Sequence, residues 1–279
     1  MTRIAIFTPT PGRETSGEEL EVMLAFVDGI LRHGETPKFY RHGDSHDEEF
    51  SVMFGWNKLR NNDIVNRQRI IGGRVLGINF GSLQRKLEYY TIGWDGLNNE
   101  GTYFNENSTA ERWNKLGLTI EPWRVSGQHI ILVCQVPTDG SVHQVDIIEW
   151  CKEKVEELKK FSDREIIFRP HPLARAVTPS LKGTIRSEKP FEDDLKNAWA
   201  VVSYSSTSSG LSVLSGIPAL TFHPCSVAYP VSSHDIAEIE SPKMPELKQW
   251  AYNLANTQWT LREIRDGSAW AILKQGVLK

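Results

Sequence analysis

The sequence predicts an α/β protein made of two similar halves, followed by a helical C-terminal tail. In both halves, short apolar runs typical of buried strands alternate with amphipathic segments typical of helices. The chain has 279 residues, which suits one large domain or two of ordinary size. Alternating strands and helices form βαβ units, so we expect mainly parallel sheets with helices on their faces.

The first half begins with a strand, a loop and a helix. Residues 3–8 (RIAIFT) are an apolar run, and residues 9–17 form a loop that contains proline and glycine. In residues 18–34, apolar side chains recur at the i, i+3, i+4 spacing of a helix, which Gly34 ends. The polar residues 94–109 should form an extended loop. Three more strands are predicted at residues 37–42, 50–56 and 74–81.

The second half repeats this order of strands and helices. Strands are predicted at residues 129–137, 165–172, 200–205 and 218–222. Helices are predicted at residues 143–161, 191–198 and 209–216. We place the domain boundary near residues 117–127, which gives an N-terminal domain at 1–122, a C-terminal domain at 123–250 and a tail at 251–279. The tail is expected to form one or more helices that pack back on the N-terminal domain.

Composition and charge exclude several classes of protein. The net charge is −3 and the pI about 6.3, so the chain as a whole is not built to bind polyanions. Its three scattered cysteines match no metal-binding spacing and are typical of a reducing compartment. No apolar run approaches the length of a membrane span, and the first residues do not resemble a signal peptide. We therefore expect a cytoplasmic protein without a membrane partner.

A run of hydroxyl-bearing residues lies where a predicted strand ends and a helix begins. A helix start exposes unpaired backbone N–H groups and the positive end of the helix dipole. One Ser or Thr is enough to cap these groups, whereas several can also hold an anion. We favour a phosphate or pyrophosphate site, with capping alone as the alternative. The run consists of Ser205, Ser206, Thr207, Ser208 and Ser209.

A second candidate for phosphate binding lies at the end of the strand predicted at 165–172. Arg169 carries a guanidinium fork suited to phosphate, and Pro170 and Pro172 stiffen the loop around His171. The carboxyl ends of parallel strands open at the same edge of a sheet, where such folds bind ligands. We therefore expect Arg169, His171 and the hydroxyl run to form one site. A purely structural His171 is the alternative.

These two stretches, RPHP at 169–172 and VVSYSSTSSGLSVLSGIPALTF at 201–222, resemble the donor-binding half of GT-B glycosyltransferases. They are most similar to the His-Pro and Ser-Ser/Thr motifs of bacterial sialyltransferases and capsule-polymer transferases. The resemblance covers about residues 127–230 and implies two Rossmann-like domains facing a central cleft. It also implies that the histidine and the hydroxyls hold the phosphate of a nucleotide-sugar. A UDP-sugar is the expected donor, and no other cofactor is expected.

One position departs from the family. Related transferases commonly carry glutamate in the helix before a Gly-x-Pro turn, where it can contact ribose. Here the turn is present as Gly216-Ile217-Pro218, but Ser212 stands in the place of that glutamate. We therefore expect ribose to be recognised differently.

In a GT-B enzyme the N-terminal half binds the acceptor and, for inverting transfer, supplies a general base. Asp95 is the candidate, because Gly93 and Gly96 beside it would let a substrate come close and the segment resembles the family's Asp-Gly motif. Glu14 is the rival candidate, and an Asp-Gly turn is the structural alternative. The sequence has no DxD motif and no His/Cys ligand cluster, so we expect transfer without a metal ion.

The acceptor is predicted from a basic window at residues 56–86. A basic surface with aromatic neighbours binds nucleic-acid phosphates and stacks bases. The pattern also resembles phage-encoded transferases that glycosylate hydroxymethylated pyrimidines in DNA, which extrude the target base. This hypothesis implies a double-stranded DNA partner and a location in the host cytoplasm, whereas a solvated helix face is the alternative. The DNA contacts would come from Lys58, Arg60, Arg67, Arg69 and Arg74.

Three functions remain open at this point. The leading hypothesis is a glycosyltransferase that acts on modified DNA. The second keeps the chemistry but transfers the sugar to a saccharide or surface polymer. The third is a non-catalytic module that binds a nucleotide-sugar.

Overall fold

The computed structural model describes residues 2–8, 16–56, 62–84, 89–142 and 144–277. The chain divides into two compact units. The first consists of Met1–Leu116 together with Tyr252–Lys279, and the second consists of Gly117–Ala251. The C-terminal segment thus belongs to the same unit as the N-terminal residues.

The helices and strands follow the chain in three groups. The first group is β1 (Arg3–Phe7), α1 (Ser16–Leu31), β2 (Thr36–Tyr40), β3 (Phe50–Phe54), α2 (Asn62–Ile71), β4 (Arg74–Phe80), β5 (Tyr89–Trp94) and α3 (Ala110–Leu116). The second group is β6 (His129–Val133), α4 (Ile147–Phe161), β7 (Glu165–Arg169), β8 (Ile185–Arg186), α5 (Phe191–Asp194), β9 (Ala198–Ser203), α6 (Ser208–Leu214), β10 (Ala219–Thr221) and α7 (Lys248–Ala255). The third group is β11 (Gln258–Thr260), α8 (Leu261–Arg265) and α9 (Ser268–Leu273).

The sheet of the first unit contains both parallel and antiparallel strands, in the order β11-β5-β4-β3-β1-β2. Strands β1 to β4 are parallel, whereas β5 is antiparallel to β4 and β11 is antiparallel to β5. Strand β11 corrects the prediction of a wholly helical tail. Gln258 and Trp259 of this strand are buried, and the Gln258 amide donates to the Thr91 hydroxyl at 2.8 Å. This bond ties the C-terminal segment to the sheet.

Helix α1 packs closely against the C-terminal helices in the core of the first unit. The ring of Phe26 meets that of Trp270 edge to face, with centroids 5.7 Å apart. Gly29 permits the approach of α1 to α8, since a Cβ atom there would collide with the carbonyl oxygen of Ile264 and lie 3.3 Å from Cα of Gly267. The absence of a side chain at position 29 is therefore a packing requirement.

Replacing Gly29 by alanine is expected to lower the free energy of unfolding by about 1–3 kcal/mol, the usual cost of overpacking. This loss should exceed the gain of about 1 kcal/mol that alanine brings to a helix interior. Gly17→Ala is the matched control, because it lies in the same helix with no atom within 4 Å of the added Cβ. Urea denaturation of both variants tests the prediction. Equal stability of the two would contradict the close packing at Gly29.

The sheet of the second unit is wholly parallel, in the order β10-β9-β6-β7-β8, and agrees with the prediction of mainly parallel sheets. The last residues of four strands lie side by side: Thr221 beside Ser203, Ser203 beside Val133, and Val133 beside Arg169. Their carboxyl ends are therefore level. The chain runs from β6 to β8 in one direction and places β9 and β10 on the other side of β6. The boundary between β6 and β9 is thus the topological switch point, where open α/β sheets bind ligands.

Some element boundaries differ from the predicted ones. Helix α4 begins at Ile147 rather than at residue 143. Asp146 caps it, since its Oδ1 accepts the N–H groups of Ile148 and Glu149 at 3.0 and 3.1 Å. Among the described residues, no helix has both the length and the apolar character needed to cross a membrane.

Candidate functional site

The candidate site is the carboxyl edge of the second sheet, at the switch point. Gln135 follows β6, His171 follows β7 and Ser205 follows β9. Because these three strands are neighbours and end level, the three loops open at one edge. The structure thus brings the predicted His171 and the hydroxyl run to the same edge of one sheet.

Gln135 joins the loops that follow β6 and β9. Its side-chain oxygen accepts the backbone N–H of Ser205 at 2.9 Å, and its amide nitrogen donates to Oγ of Ser205 at 3.0 Å. The same nitrogen donates to Oγ of Ser141 at 2.9 Å. A backbone N–H only donates, so this contact fixes the orientation of the amide. Sequence reasoning missed Gln135, whose only signal was its position directly after a buried strand.

Two members of the hydroxyl run are buried inside the unit. Ser205 is held by Gln135, and Oγ of the fully buried Ser209 lies 2.5 Å from Oγ of Ser203. This burial corrects the expectation that all five hydroxyls face a ligand. Ser209 bridges α6 and β9 instead.

The other three members lie at the surface of the site. Oγ of Ser206 accepts the backbone N–H of Ser208 at 3.2 Å, which satisfies one N–H group at the start of α6, although the N-cap residue Thr207 makes no capping bond with its own side chain. Thr207 is exposed and Ser208 is half-buried. The capping alternative therefore accounts for Ser206, while Thr207 and Ser208 remain accessible to an anion.

A backbone hydrogen bond determines which ring nitrogen of the neutral His171 carries the proton. Its Nδ1 accepts the N–H of Leu173 at 3.2 Å, so the neutral ring carries its proton on Nε2. The ring is half-buried, and the flanking Pro170 and Pro172 restrict the loop that holds it. An Nε2–H group is the donor that a phosphate oxygen requires.

Arg169 has a structural partner that the sequence did not reveal. Its guanidinium donates to the carboxylate of Asp194 at 2.6 Å and to the carbonyl oxygen of Lys189 at 2.6 Å. Ser187 donates to the same carboxylate, at 2.7 and 2.6 Å to its two oxygens. The side chains of Arg169 and Asp194 are only 9% and 4% exposed. Both bonds use Nη1 of Arg169, so a buried ion pair occupies part of the guanidinium, and phosphate binding by Arg169 stays a prediction.

Position 212, where the transferases that the sequence resembles carry glutamate, faces the interior of the second unit. Ser212 is fully buried and donates to the carbonyl oxygen of Ser209 at 2.8 Å. A contact from this position to ribose is therefore excluded. The turn that follows has the predicted form, with Gly216 at a φ of 73°, the left-handed region that favours glycine.

Asp95 lies at the opposite edge of the first sheet from the ends of its parallel strands. It follows β5, which is antiparallel, and one of its oxygens accepts from the Arg74 guanidinium at 2.6 Å. The other oxygen accepts the N–H of Val75 at 3.0 Å. Its φ of 56° is in the left-handed region, which Asp adopts more readily than most residues. This position does not support the prediction that Asp95 is the base, because α/β sheets bind ligands at the carboxyl edge.

The glycines beside Asp95 make room for the protein itself. A Cβ at Gly93 would lie 2.6 Å from the ring of Tyr103, and one at Gly96 would lie 2.5 Å from the carbonyl oxygen of Glu100. The expectation that they admit a substrate is therefore corrected. Glu14, the rival base, lies outside the described residues.

The predicted DNA-binding residues do not form a free basic surface in the part of the chain that the structure describes. Arg67 pairs with Asp47 at 2.7 Å, and Arg74 pairs with Asp95 at 2.6 Å. Arg69 is exposed near the end of α2. Lys58 and Arg60 lie outside the described residues. Two of the predicted positive charges are thus compensated by carboxylates.

A buried polar cluster surrounds Glu48 in the first unit. Its carboxylate accepts from the Tyr40 hydroxyl at 2.8 Å and lies 2.9 Å from the Lys38 ammonium. Burial alone would raise the pKa of Glu48, but these two hydrogen bonds outweigh it and lower the pKa to about 2. His46 lies beside this carboxylate with its side chain fully buried. Burial lowers the pKa of His46 in spite of the neighbouring negative charge.

Replacing His46 by glutamine is expected to make the protein less sensitive to acid. As the pH falls, His46 takes up a proton near pH 6.5 in the unfolded chain. In the folded chain it does so only at a lower pH, because its pKa is lowered. Stability contributed by the neutral ring is therefore present above pH 6.5 and is lost as the pH falls below it. Denaturant midpoints at pH 7.5 and 5.5 test the prediction. An equal loss of stability in the variant and the wild type would contradict it.

Comparison with known proteins shows the fold. No protein-family model matches the chain, and a search of curated proteins gave no significant match. The beta Kdo 2,7 transferase of Thermosulfurimonas dismutans KpsC is 13% identical with a TM-score of 0.58, over 96% of this chain and 99% of that one. The beta Kdo 2,4 transferase of the same KpsC is 11% identical with a TM-score of 0.57, over 91% and 90%. The predicted fold class, an α/β protein of the GT-B type with two Rossmann-like domains, is confirmed.

Proposed function

We propose that the chain is a glycosyltransferase that moves a sugar from a nucleotide-sugar to a hydroxyl group of a saccharide or surface polymer. The main support for this proposal is the set of hydrogen-bond donors at the switch-point edge of the second sheet. There the Nε2–H of His171 and the surface hydroxyls of the run lie where parallel α/β sheets bind phosphates. The fold that holds this edge is shared, over at least 90% of both chains, with two Kdo transferases.

The site's donors suit the departure of a nucleotide. Negative charge grows on the leaving phosphate as the bond to the sugar breaks, and pre-positioned donors stabilise that charge. His171 supplies one donor, and Thr207 and Ser208 supply hydroxyls at the start of α6. Gln135 keeps this loop in place through Ser205. We also propose that these groups stabilise the charge without a metal ion and that the transfer inverts the anomeric configuration of the sugar.

A saccharide acceptor is favoured over DNA by the charges of the first unit. Arg67 and Arg74 were expected to contact DNA phosphates, but Asp47 and Asp95 hold them in ion pairs. Binding of a polyanion depends on cations that can replace its counterions. These exposed pairs reduce the attraction of the surface for a polyanion. The two similar structures are Kdo transferases, which also favours a saccharide.

A transfer assay tests the proposal and its acceptor together. The protein is incubated with UDP-, GDP- and CMP-sugars, each combined with oligosaccharides or with DNA that contains hydroxymethylcytosine or hydroxymethyluracil. We expect mass spectrometry to show an oligosaccharide heavier by one sugar residue and unchanged DNA. A heavier nucleoside would reverse the choice of acceptor. Donor binding with no transfer to any acceptor would contradict the enzyme and leave a nucleotide-sugar-binding module.

A further inference from the structure

The carboxyl edge of the first sheet has a histidine that faces a carboxylate. Phe7 ends β1 and Tyr40 ends β2, and the two residues lie side by side, so these parallel strands end level. His42 is the second residue after β2, and Asp63 lies in the first turn of α2. Nδ1 of His42 lies 3.8 Å from Oδ1 of Asp63. The pair therefore lies at the edge where α/β sheets bind ligands, opposite to the edge that holds Asp95.

The backbone fixes the carboxylate of Asp63. Its Oδ2 accepts the N–H of Gly43 at 2.8 Å, and its Oδ1 faces the ring of His42. Gly43 has a φ of 89°, in the left-handed region that favours glycine, and this allows the loop to turn here. The ring of His42 also lies near that of Phe7, with centroids 6.0 Å apart. The imidazole is thus placed between a carboxylate and an aromatic ring.

The charge beside one nitrogen of His42 determines what the other nitrogen can do. A carboxylate only accepts, so it favours the proton of the neutral ring on Nδ1. Nε2 then has a free lone pair, with which it can take a proton from a substrate. Among the described residues, Nε2 of His42 has no hydrogen-bond partner. The side chains of His42 and Asp63 are 33% and 41% exposed, so the pair is accessible.

A second histidine beside a carboxylate in this part of the sheet is closed to substrates. Nδ1 of His46 lies 3.4 Å from Glu48, and the two side chains are 0% and 3% exposed. Nε2 of His46 lies 3.3 Å from Oγ of Ser51. Both nitrogens of this ring therefore face the protein, and only His42 can reach a bound ligand.

A small cavity adjoins the pair. Its volume is about 150 Å³, and two of its walls, Phe7 and Asp63, are the residues that face His42. Pockets that enclose a whole small molecule have about 300–1,000 Å³, so this cavity suits one end of a longer ligand. Asp44 and Ser45 also line it, and with Asp63 they offer oxygen atoms to the hydroxyl groups of a sugar.

We propose that the terminal sugar of the acceptor binds in this cavity, and that His42 is the general base, positioned by Asp63. Nε2 takes the proton of the acceptor hydroxyl while the hydroxyl oxygen forms its bond to the anomeric carbon of the donor sugar. The bond from that carbon to the phosphate oxygen breaks, and its electron pair leaves with the phosphate. Asp63 stabilises the imidazolium, which then gives its proton to water. The inference rests on the proposed function and names its base and its acceptor subsite.

Turnover and donor affinity are measured separately in His42→Ala, His42→Gln and Asp63→Asn, with the donor and acceptor found in the transfer assay. We expect kcat to fall about a hundred- to ten-thousandfold in both His42 variants, the contribution of a general base, and donor affinity to stay unchanged. Free imidazole should restore part of the turnover of His42→Ala, but not of His42→Gln, whose side chain fills the space. Asp63→Asn should lower the kcat of the wild type but not lower that of His42→Ala further, because Asp63 acts through the ring.

Asp47→Asn is the matched control. Asp47 lies in the same loop and loses an ion pair when changed, but its partner is Arg67 and not His42. We expect this variant to keep its turnover. Full turnover in His42→Ala would overturn the inference and leave the proposed function intact, and so would a loss that imidazole does not restore. A wild type that binds the donor but transfers sugar to no acceptor would contradict the proposed function and the inference with it.

Discussion

Replacing Arg169 by methionine is expected to lower the free energy of unfolding by about 3–5 kcal/mol, the cost of leaving a buried charge without its partner. Asp194 would keep the Ser187 hydroxyl but lose the guanidinium 2.6 Å away, and its side chain is only 4% exposed. The carbonyl oxygen of Lys189 would lose a donor as well. Urea denaturation at neutral pH measures the loss directly.

A double variant distinguishes the ion pair from packing. Arg169→Met combined with Asp194→Leu removes both charges, and replacing a buried pair by apolar side chains is often nearly neutral. We expect the double variant to be more stable than Arg169→Met alone. If Arg169→Met loses less than about 1 kcal/mol, the range typical of exposed pairs, the guanidinium is not committed to Asp194. That result would favour phosphate binding by Arg169.

Replacing His171 by alanine is expected to weaken nucleotide-sugar binding by about 1–3 kcal/mol, roughly five- to 150-fold, because a charge-assisted hydrogen bond is lost. Folding should change little, since the ring is half-buried and its Nδ1 bond to Leu173 is local. The affinity of each variant for the donor found in the transfer assay measures the effect.

His129→Ala is the matched control for that change. His129 lies in the same sheet, at the amino end of β6, and its ring bonds the carbonyl oxygen of Asp194 at 2.8 Å. We expect this variant to lose some stability and to keep its affinity for the donor. If His129→Ala and His171→Ala weaken binding equally, His171 acts through the fold and not through contact with the donor.

The sequence predicted the second sheet well because its pattern is local. A strand buried on both faces reads as a continuous apolar run, and the helices between such strands keep their own spacing. Strand β11 was missed because it is three residues long, begins with a glutamine and borders helices on both sides. Gln258 is buried because the side chain of Thr91 supplies a partner far away in the sequence. A local pattern cannot contain that information.

The site shows the same limit. His171 and the hydroxyl run stand out because prolines and repeated hydroxyls are visible in a short window. The partner of Arg169 lies 25 residues further along the chain, and that of Ser205 lies 70 residues earlier. Asp95 was chosen as the candidate base from its flanking glycines and its Asp-Gly motif, and the direction of β5 within the sheet could not be read from these residues. A residue that follows a parallel strand lies at the carboxyl edge of the sheet, whereas a residue that follows an antiparallel strand lies at the opposite edge.

A crystal structure of the protein with a bound nucleotide would show where the donor binds. We expect a phosphate of the nucleotide to lie within hydrogen-bonding distance of Nε2 of His171, at the edge formed by the loops after β6, β7 and β9. The first unit contains a cavity of about 430 Å³, lined in part by Arg112, Lys115 and Arg262. A nucleotide phosphate bound in that cavity, with the edge at His171 unoccupied, would contradict the proposed donor site.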